Sequence, residues 1–213
     1  MIVLVGGEKG GTGKSTMAIN LAVIHAQKKK EVLIVDADKQ GTTSLWSSLR
    51  DENGIKPHIP CVQKFGKNIH AEIQALNEKY ETIIIDAGGR DSVELRASLL
   101  VAEKFITPIR ASQCDAWTLD HVETLINNAL LINPGLLALL VVNQAPTNPS
   151  VSEVDEINDF LKEFESITAM KSIVRDRIVF RHAFKLGLGC IEYKPNDIKA
   201  NIELNNLYCE VFK

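Results

Sequence analysis

The sequence predicts a doubly wound α/β fold, in which helices cover both faces of a mainly parallel sheet. Short and almost continuously apolar runs predict strands that are buried on both faces. These runs are separated by amphipathic stretches with a period near 3.6, which predict helices. The repeated strand–helix order favours the doubly wound arrangement. The predicted strands cover residues 2–5, 32–35, 83–85, 105–109 and 136–142, and the predicted helices cover residues 14–28, 115–133, 152–164 and 196–212.

In the first half of the chain, each predicted element has its own signal. The first strand leads into a glycine-rich loop, and the helix after it carries Met17, Leu21 and Ile24 at helical spacing, with basic residues at its end. The second and third strands are each followed directly by an aspartate. Residues 51–67 have the weakest pattern, so we expect them to form a loop around one edge strand.

In the second half, proline and glycine mark the boundaries. The helix after the fourth strand has apolar residues at helical spacing from Leu119 to Leu130 and is stopped by Pro134-Gly135. The fifth strand then runs up to Asn143. The next helix begins after Pro149-Ser150 and is acidic in its first turns, and a last helix forms the tail.

The composition indicates a globular protein with a hydrophobic core. Of 213 residues, 45% are hydrophobic and 24% are charged, and we expect residues 1–213 to form a single domain. The net charge of −3 excludes a uniformly polybasic nucleic-acid coat. The sequence contains no signal-peptide pattern and no apolar run approaching about 18 residues, so we expect a cytoplasmic protein with no membrane partner. The cysteines form no C-x-x-C pair, which favours thiols in a reducing compartment over a zinc ribbon or iron–sulfur cluster. They are Cys61, Cys114, Cys190 and Cys209.

A phosphate-binding loop follows the first strand. Its sequence is Lys9-Gly10-Gly11-Thr12-Gly13-Lys14-Ser15-Thr16. A loop between a strand and a helix can surround a nucleotide's phosphates with backbone N–H groups. Gly13-Lys14-Ser15 matches the end of the G-x-x-x-x-G-K-[ST] pattern, but Glu8 replaces its first glycine and Lys9 is additional. A solvated charge is the usual fate of a surface lysine. Inside a phosphate-binding loop, a contact with phosphate is favoured instead.

Three aspartates are predicted at the same edge of the sheet as this loop. Asp36 and Asp38 follow the second strand, and Asp86 follows the third. The carboxyl ends of parallel strands form the ligand crevice of such a fold. Mg²⁺ prefers oxygen ligands, so we expect Ser15 to supply a hydroxyl and Asp86 a carboxylate, directly or through water. Lys14 would contact the terminal phosphates, and Asp38 or Asp36 would orient the attacking water. For each aspartate taken alone, a turn or helix cap is the alternative.

These residues resemble the motifs of the ParA/MinD family of deviant Walker A ATPases. The loop from Lys9 to Thr16 is similar to K-G-G-x-G-K-[ST]-T, and residues 36–41 are similar to D-x-D-P-Q-G, with Lys39 in place of proline. Residues 83–86 resemble the Walker B strand, followed by Ala87-Gly88-Gly89-Arg90 rather than T-P-P. Residues 187–200 are similar to the G-x-x-x-x-E-Y-x-P...A ending. The resemblance spans nearly the whole chain and favours the short ParA-type plasmid partition proteins.

The resemblance implies a role for each motif. Lys9 would reach the phosphates of ATP bound in the partner subunit of an ATP-dependent homodimer, whereas Lys14 would act within its own subunit. Asp38 would position the hydrolytic water, and Asp36 would support the Mg²⁺ and water network. Asn143 would contact adenine, with a strand-end cap as the alternative. The other cofactor-binding residues would surround the phosphates of ATP; they are Gly10, Gly11, Thr12, Gly13, Ser15 and Thr16.

The resemblance further implies a weak, Mg²⁺-dependent ATP hydrolase that binds DNA without sequence preference and associates with the nucleoid. It would drive partition of plasmid or mobile-element DNA, and a centromere-binding partner would stimulate hydrolysis. Residues 171–194 contain six basic and two acidic residues, so they form the candidate DNA surface, with a solvated, salt-bridged face as the alternative. The candidate DNA-binding residues are Lys171, Arg175, Arg177, Arg181 and Lys185.

Two other functions stay open at this point. One is the positioning of a protein cargo by an ATPase of the same family. The other is a small-molecule ligase or kinase on the same fold, which would need a second substrate pocket facing the γ-phosphate. No residue set in the sequence requires such a pocket. The last helix has few basic residues, which disfavours a membrane-binding helix of the MinD type.

Overall fold

The computed structural model describes residues 1–89, 91–110, 116–148 and 164–213. The described strands are β1 (Ile2–Gly7), β2 (Val32–Ala37), β3 (Cys61–Gln63), β4 (Thr82–Gly89), β5 (Lys104–Ile109), β6 (Leu137–Ala145) and β7 (Thr168–Arg175). The described helices are α1 (Lys14–Gln27), α2 (Thr42–Glu52), α3 (Ile69–Asn77), α4 (Val93–Leu99), α5 (Ala116–Leu130), α6 (Ile178–Phe184) and α7 (Ile198–Val211), with a 3₁₀ turn at Cys190–Glu192. These strands form one parallel sheet in the order β3-β2-β4-β1-β5-β6-β7.

Helices cover both faces of this sheet, as neighbouring side chains of β1 show. Leu4 lies in a buried cluster with residues of α3, α4 and α5, including Ile126. Val5 lies in a second buried cluster with residues of α1, α2 and α7, including Leu21 and Leu207. A strand covered on both faces needs apolar residues at successive positions, which explains the continuous runs in the sequence. The predicted doubly wound fold is confirmed.

The sequence pattern does not predict β7, α6 or the helices α2 to α4. β7 lies at the edge of the sheet, where buried and more exposed residues alternate, so no continuous apolar run marks it. α2 extends to Glu52, into the segment predicted as a loop, and β3 is the short edge strand expected there. The helix predicted at 152–164 lies outside the described residues except for its last position. Within the described part of the chain, every helix is too short or too polar to span a bilayer.

The strand order brings the predicted site elements to one edge of the sheet. β4 lies between β2 and β1, and the three strands run in the same direction. Asp36 on β2 and Asp86 on β4 are neighbours in register. The phosphate-binding loop leaves the adjacent end of β1, so the loop and both carboxylates meet in one crevice, as the sequence predicted.

A buried ion pair between Arg50 and Glu192 links α2 to the C-terminal part of the fold. Arg50 is fully buried, and its guanidinium donates to both carboxylate oxygens of Glu192 at 2.8 Å. It also donates to the carbonyl oxygens of Pro57 and Gly187 at 3.0–3.1 Å. Glu192 is the glutamate of the C-terminal motif, and it also accepts the N–H of Gly189 at 2.9 Å. The pair therefore holds the C-terminal half of α2, while the first turn of that helix faces the strand ends.

Candidate functional site

The phosphate-binding loop requires a glycine at the position where it enters α1. Gly13 is the N-cap of α1 and has a φ of 88°, in the left-handed region. A Cβ atom at this position would lie 2.3 Å from Nδ2 of Asn143. Both the backbone conformation and the close approach of Asn143 therefore demand glycine. The first turn of α1 begins at this point, so its backbone N–H groups are available to an anion.

Asn143 holds the loop from the side of β6. Its side chain is buried, and Nδ2 donates to the carbonyl oxygen of Thr12 at 2.6 Å. The amide nitrogen is thus engaged in fixing the loop, which is a different role from the predicted adenine contact. Asn143 also lines the cavity beside the loop. Its contact with adenine stays a prediction.

Lys14 is buried and folds back on the loop. Its Nζ donates to the carbonyl oxygen of Lys9 at 2.7 Å. Burial lowers the pKa of Lys14, and the charges of Asp86, Asp38 and Glu8 oppose that shift. The ammonium group therefore lies among the acidic groups of the crevice, where the phosphates of a nucleotide would be a stronger counter-charge. The side chain of Lys9 is partly exposed, and its contact across a dimer interface stays a prediction.

Asp86 is fully buried at the carboxyl end of β4, and its two oxygens differ in their environment. The Thr43 hydroxyl donates a hydrogen bond to Oδ2. Oδ1 is buried and has no hydrogen-bond partner within the described part of the chain. Burial raises the pKa of Asp86 to about 7; hydrogen bonds from Thr43 and Ser15 lower it, and the charges of Asp36 and Asp38 raise it. A bound cation would favour the ionised carboxylate.

Asp36 and Asp38 occupy different environments although they are two residues apart. Oδ2 of the fully buried Asp36 accepts the backbone N–H and the hydroxyl of Ser44 at 2.8 and 2.7 Å, and Oδ1 accepts the N–H of Asp38 at 3.2 Å. Asp36 therefore orders the connection from β2 to α2. Asp38 is partly exposed, and its Oδ1 accepts the N–H of Gln40 at 2.9 Å in an Asx turn. Its second oxygen, Oδ2, accepts no hydrogen bond from the described residues and could therefore accept one from water.

A cavity of about 370 Å³ opens beside the loop. This volume, with a largely apolar wall and a few polar groups, is typical of a small-ligand site. Its walls include Met17 and Asn20 from α1, Asn143 and Gln144 from β6, and Phe180 and Phe184 from α6. Thr16 of the loop and Asn143 both line this cavity, so the anion-binding loop adjoins a half-open space whose surface is mainly apolar.

Most of the predicted DNA-binding residues lie around this cavity. Four of them line it: Arg175, Arg177, Arg181 and Lys185. Arg177 donates to Glu203 at 2.6 Å, and both side chains are only 13% exposed. Arg175 also pairs with Glu203, at 3.6 Å, and Arg181 pairs with Asp176 at the surface. The salt-bridged alternative thus describes three of the five residues, and DNA contact stays a prediction.

Comparison with known proteins decides the family. Residues 3–191 match the CobQ/CobB/MinD/ParA nucleotide binding domain. The chain belongs to this family. The maintenance of carboxysome distribution protein A of Halothiobacillus neapolitanus is 24% identical, over 95% of this chain and 92% of that protein. Among solved structures, the cell division ATPase MinD of Pyrococcus furiosus has a TM-score of 0.74 at 18% identity, over 99% and 97% of the two chains. A plasmid partition protein of Borrelia burgdorferi has a TM-score of 0.66 at 20% identity, over 99% and 96%.

The ParA/MinD resemblance of the sequence is therefore confirmed. One departure from the family pattern, the Gly88-Gly89 pair, lies against the Asp38 turn and the loop. A Cβ atom at Gly88 would lie 3.1 Å from Cγ of Asp38. A Cβ atom at Gly89 would lie 3.2 Å from the backbone nitrogen of Gly10 and from Nζ of Lys14. The Gly88-Gly89 pair thus gives the Asp38 turn and the loop a side-chain-free surface on which to pack.

Magnesium, which accompanies nucleotides in many phosphate-binding loops, fits the residues present. The described residues contain no group of three or more His, Cys, Asp or Glu side chains that could hold a metal ion by themselves. Mg²⁺ in nucleotide sites is usually held by one or two protein oxygens together with phosphates and waters. The unpartnered Oδ1 of Asp86 and the nearby hydroxyl of Ser15 provide such a donor pair.

The sequence patterns do not mark the residues that hold the two buried aspartates. Thr43 and Ser44 follow the D-x-D-K-Q-G segment, and hydroxyls at a helix start usually indicate capping. In this ParA/MinD-family fold they donate instead to Asp86 and Asp36. Gln144 is also unmarked, although it lines the cavity with a left-handed φ of 55°. Nothing in the sequence indicates that a glutamine takes this conformation.

Proposed function

We propose that this protein is an Mg²⁺-dependent ATPase whose nucleotide state controls its self-association and its hold on a cargo. The observation that supports this most strongly is the chemistry of the crevice together with the cavity beside it. One end contains the loop, Lys14 and the unpartnered oxygen of Asp86, and the other end opens into the cavity. A phosphate chain suits the first end and a nucleoside suits the second.

In this proposal, the chain contributes positioning and charge rather than a covalent intermediate. The N–H groups of residues 11–16 would bind the phosphates, and Lys14 would exchange the carbonyl of Lys9 for the terminal phosphates. Asp38 would accept a hydrogen bond from the attacking water through the oxygen that the turn leaves available. Bound Mg²⁺ would neutralise charge on the phosphates, and Ser15 and Asp86 would hold it.

We assign the cavity to the base and ribose of the nucleotide. Phe180 and Phe184 offer an apolar wall against which a base can pack, and the Gln144 amide offers polar contacts. Arg181 and Lys185 are exposed at the same cavity, so the nucleotide uses part of the segment predicted to bind DNA. Contact with DNA would then fall on Lys171 and on the solvent-facing ends of Arg181 and Lys185.

The cargo has two candidates within this family. The family resemblance favours partition of plasmid or mobile-element DNA by an ATP-dependent dimer that is completed by Lys9 and released by a centromere-binding partner. The carboxysome-distribution relative supports the positioning of a protein body as the second candidate. Both need the same nucleotide-driven dimer.

Nucleotide binding tests the core of this proposal. A fluorescent ATP analogue is titrated into the protein in Mg²⁺ and in EDTA, and phosphate release from ATP is followed in parallel. We expect Mg²⁺-dependent binding that Lys14→Ala weakens by at least about tenfold, since a buried charge-assisted contact contributes about 1.5–3 kcal/mol. Lys79→Ala, at an exposed lysine after α3, is the matched control and leaves binding unchanged. Equal binding by wild type and Lys14→Ala would contradict the proposed site.

The cargo is tested by retention on non-specific DNA with ATP, with ADP and without nucleotide. Retention with ATP alone, decreasing with salt, supports DNA partition. An ATP-dependent dimer that DNA does not retain favours the protein-cargo alternative.

A further inference from the structure

The side-chain hydroxyl of Thr43 does not cap its own helix but binds a carboxylate on a neighbouring strand. It lies in the first turn of α2 and is fully buried. Hydroxyls at this end of a helix commonly accept hydrogen bonds from free backbone N–H groups of the same helix. The N-cap of α2 is Gly41, which has no capping side chain, and the Thr43 hydroxyl donates to Oδ2 of Asp86 instead.

The next residue, Ser44, donates in the same way to the other buried carboxylate, that of Asp36. The backbone N–H and hydroxyl of Ser44 both donate to Oδ2 of Asp36. Because Asp36 and Asp86 are in register on adjacent strands, one turn of α2 orients two strand-end carboxylates at once. The second oxygens of the two carboxylates differ in their hydrogen bonding. Oδ1 of Asp36 accepts the N–H of Asp38, whereas Oδ1 of Asp86 has no hydrogen-bond partner among the described residues.

A carboxylate on a buried strand end can rotate about its side-chain torsions unless a neighbour fixes it. A donor on Oδ2 selects the rotamer and leaves Oδ1 as the oxygen offered to the crevice. Outer hydrogen bonds of this kind orient the oxygens that bind a metal or its water. Ser15, the expected hydroxyl ligand, contacts the same carboxylate. In this arrangement Oδ2 of Asp86 is bound by the protein, whereas Oδ1 could still accept a bond from a ligand.

We propose that Thr43 is a positioning residue for magnesium binding, which holds Oδ2 of Asp86 so that Oδ1 faces the nucleotide-bound cation or its water. The proposal builds on the Mg²⁺-dependent nucleotide site proposed above. A purely structural alternative is that Thr43 only satisfies a buried acceptor. The two roles differ in what they change: a structural bond supports folding, whereas a positioning bond sets the Mg²⁺ dependence of nucleotide binding.

The test compares Thr43→Val, which keeps the branched shape and removes the hydroxyl, with Thr43→Ser, which keeps the hydroxyl. Each variant is titrated with MgCl₂ in the presence of a fluorescent ATP analogue, and also with the analogue in EDTA. Ser48→Ala is the matched control, since Ser48 is an exposed hydroxyl on the same helix that donates only to the carbonyl of Ser44. Thermal melts without nucleotide record folding, and Thr43→Ala replaces the valine variant if that variant does not fold.

We expect the Mg²⁺ concentration at half-effect to rise roughly 10- to 100-fold in Thr43→Val, as for other outer-shell partners of metal sites. Binding in EDTA should be unchanged, Thr43→Ser should restore the Mg²⁺ response, and Ser48→Ala should match wild type. A wild-type Mg²⁺ response in Thr43→Val overturns the role of Thr43, as does an equal loss of binding in Mg²⁺ and in EDTA. Absence of any Mg²⁺ response in the wild-type protein would instead refute the proposed ATPase site itself.

Discussion

Replacing Glu192 with glutamine removes one charge from a buried ion pair and leaves the shape of the side chain intact. Arg50 is fully buried, and its guanidinium has Glu192 as its carboxylate partner in the described structure, with carbonyl oxygens as its other acceptors. Glutamine offers one acceptor oxygen in place of two and turns an N–H₂ group toward the guanidinium. The variant therefore buries a positive charge without its counter-charge.

We expect the loss in free energy of unfolding to lie in the upper range found for single substitutions. Breaking a buried pair by removing one partner costs about 3–5 kcal/mol, and glutamine keeps one acceptor, so we expect about 3 kcal/mol. For a chain of this size, each kcal/mol lowers Tm by about 2–4 °C, which gives a fall of roughly 6–12 °C. Asp91→Asn is the control, because Asp91 pairs with Arg96 at the surface, where the Arg96 side chain is 55% exposed. We expect the control to cost less than about 1 kcal/mol.

The pH dependence provides an independent check. Burial alone would raise the pKa of Glu192, but hydrogen bonds from Arg50 and Gly189 and the charge of Arg50 outweigh it and lower the pKa below its ordinary value of 4.5. A carboxyl whose pKa is lowered by folding stabilises the folded state above its unfolded pKa and loses that contribution as pH falls through the folded pKa. The stability gap between wild type and Glu192→Gln should therefore be full near neutral pH and narrow below about pH 4.5.

Urea denaturation followed by circular dichroism, at pH 7 and at several acidic pH values, measures both effects. The reasoning fails if Glu192→Gln loses no more stability than Asp91→Asn at pH 7. It also fails if the gap between wild type and Glu192→Gln is the same at pH 4 as at pH 7.

The remaining predictions concern the crevice. Gly13→Ala forces a side chain into a left-handed backbone position and against Asn143, so it should destabilise the protein by about 1–3 kcal/mol or more and weaken nucleotide binding; thermal melts and titration with an ATP analogue measure both. Lys9→Ala should bind nucleotide yet stay monomeric with ATP in size-exclusion chromatography, whereas Lys79→Ala dimerises; a dimer of Lys9→Ala would refute the cross-subunit contact. Asp38→Ala should keep its nucleotide affinity and lose turnover by roughly 10²-fold or more; normal phosphate release would assign the water to another group.

The sequence predicted those elements in which every consecutive residue has to meet the same requirement, such as being apolar. Strands such as β1 are buried on both faces, so every residue must be apolar, and the pattern is direct. β7 is an edge strand, where only alternate residues face the core and the pattern is diluted. The position of the loop and the strand-end aspartates at one edge of the sheet was predictable because each follows the carboxyl end of a parallel strand.

Contacts between distant segments are harder to predict, because no local pattern encodes them. Thr43 and Asp86 are 43 residues apart, and Arg50 and Glu192 are 142 residues apart. The basic residues between positions 171 and 185, in and after β7, were equally hard to interpret from the sequence. Their charge predicts an anionic partner, but only the fold shows that four of them line the cavity and that two of them pair with Glu203.

The departures from the family's second and third motifs are best explained together. Lys39 replaces the usual proline beside Asp38, and Gly88-Gly89 replaces the usual prolines after Asp86. Lysine provides an N–H group and lifts the restriction that proline imposes on the residue before it, so the turn holding Asp38 is less constrained. A Cβ atom at position 88 would lie 3.1 Å from Cγ of Asp38, so a side chain there would crowd this carboxylate. Lys39 therefore loosens the turn that holds Asp38, and Gly88 leaves room for the Asp38 carboxylate. The partly exposed Asp38 carboxylate lies in the crevice near Lys14, where the proposed hydrolysis requires it.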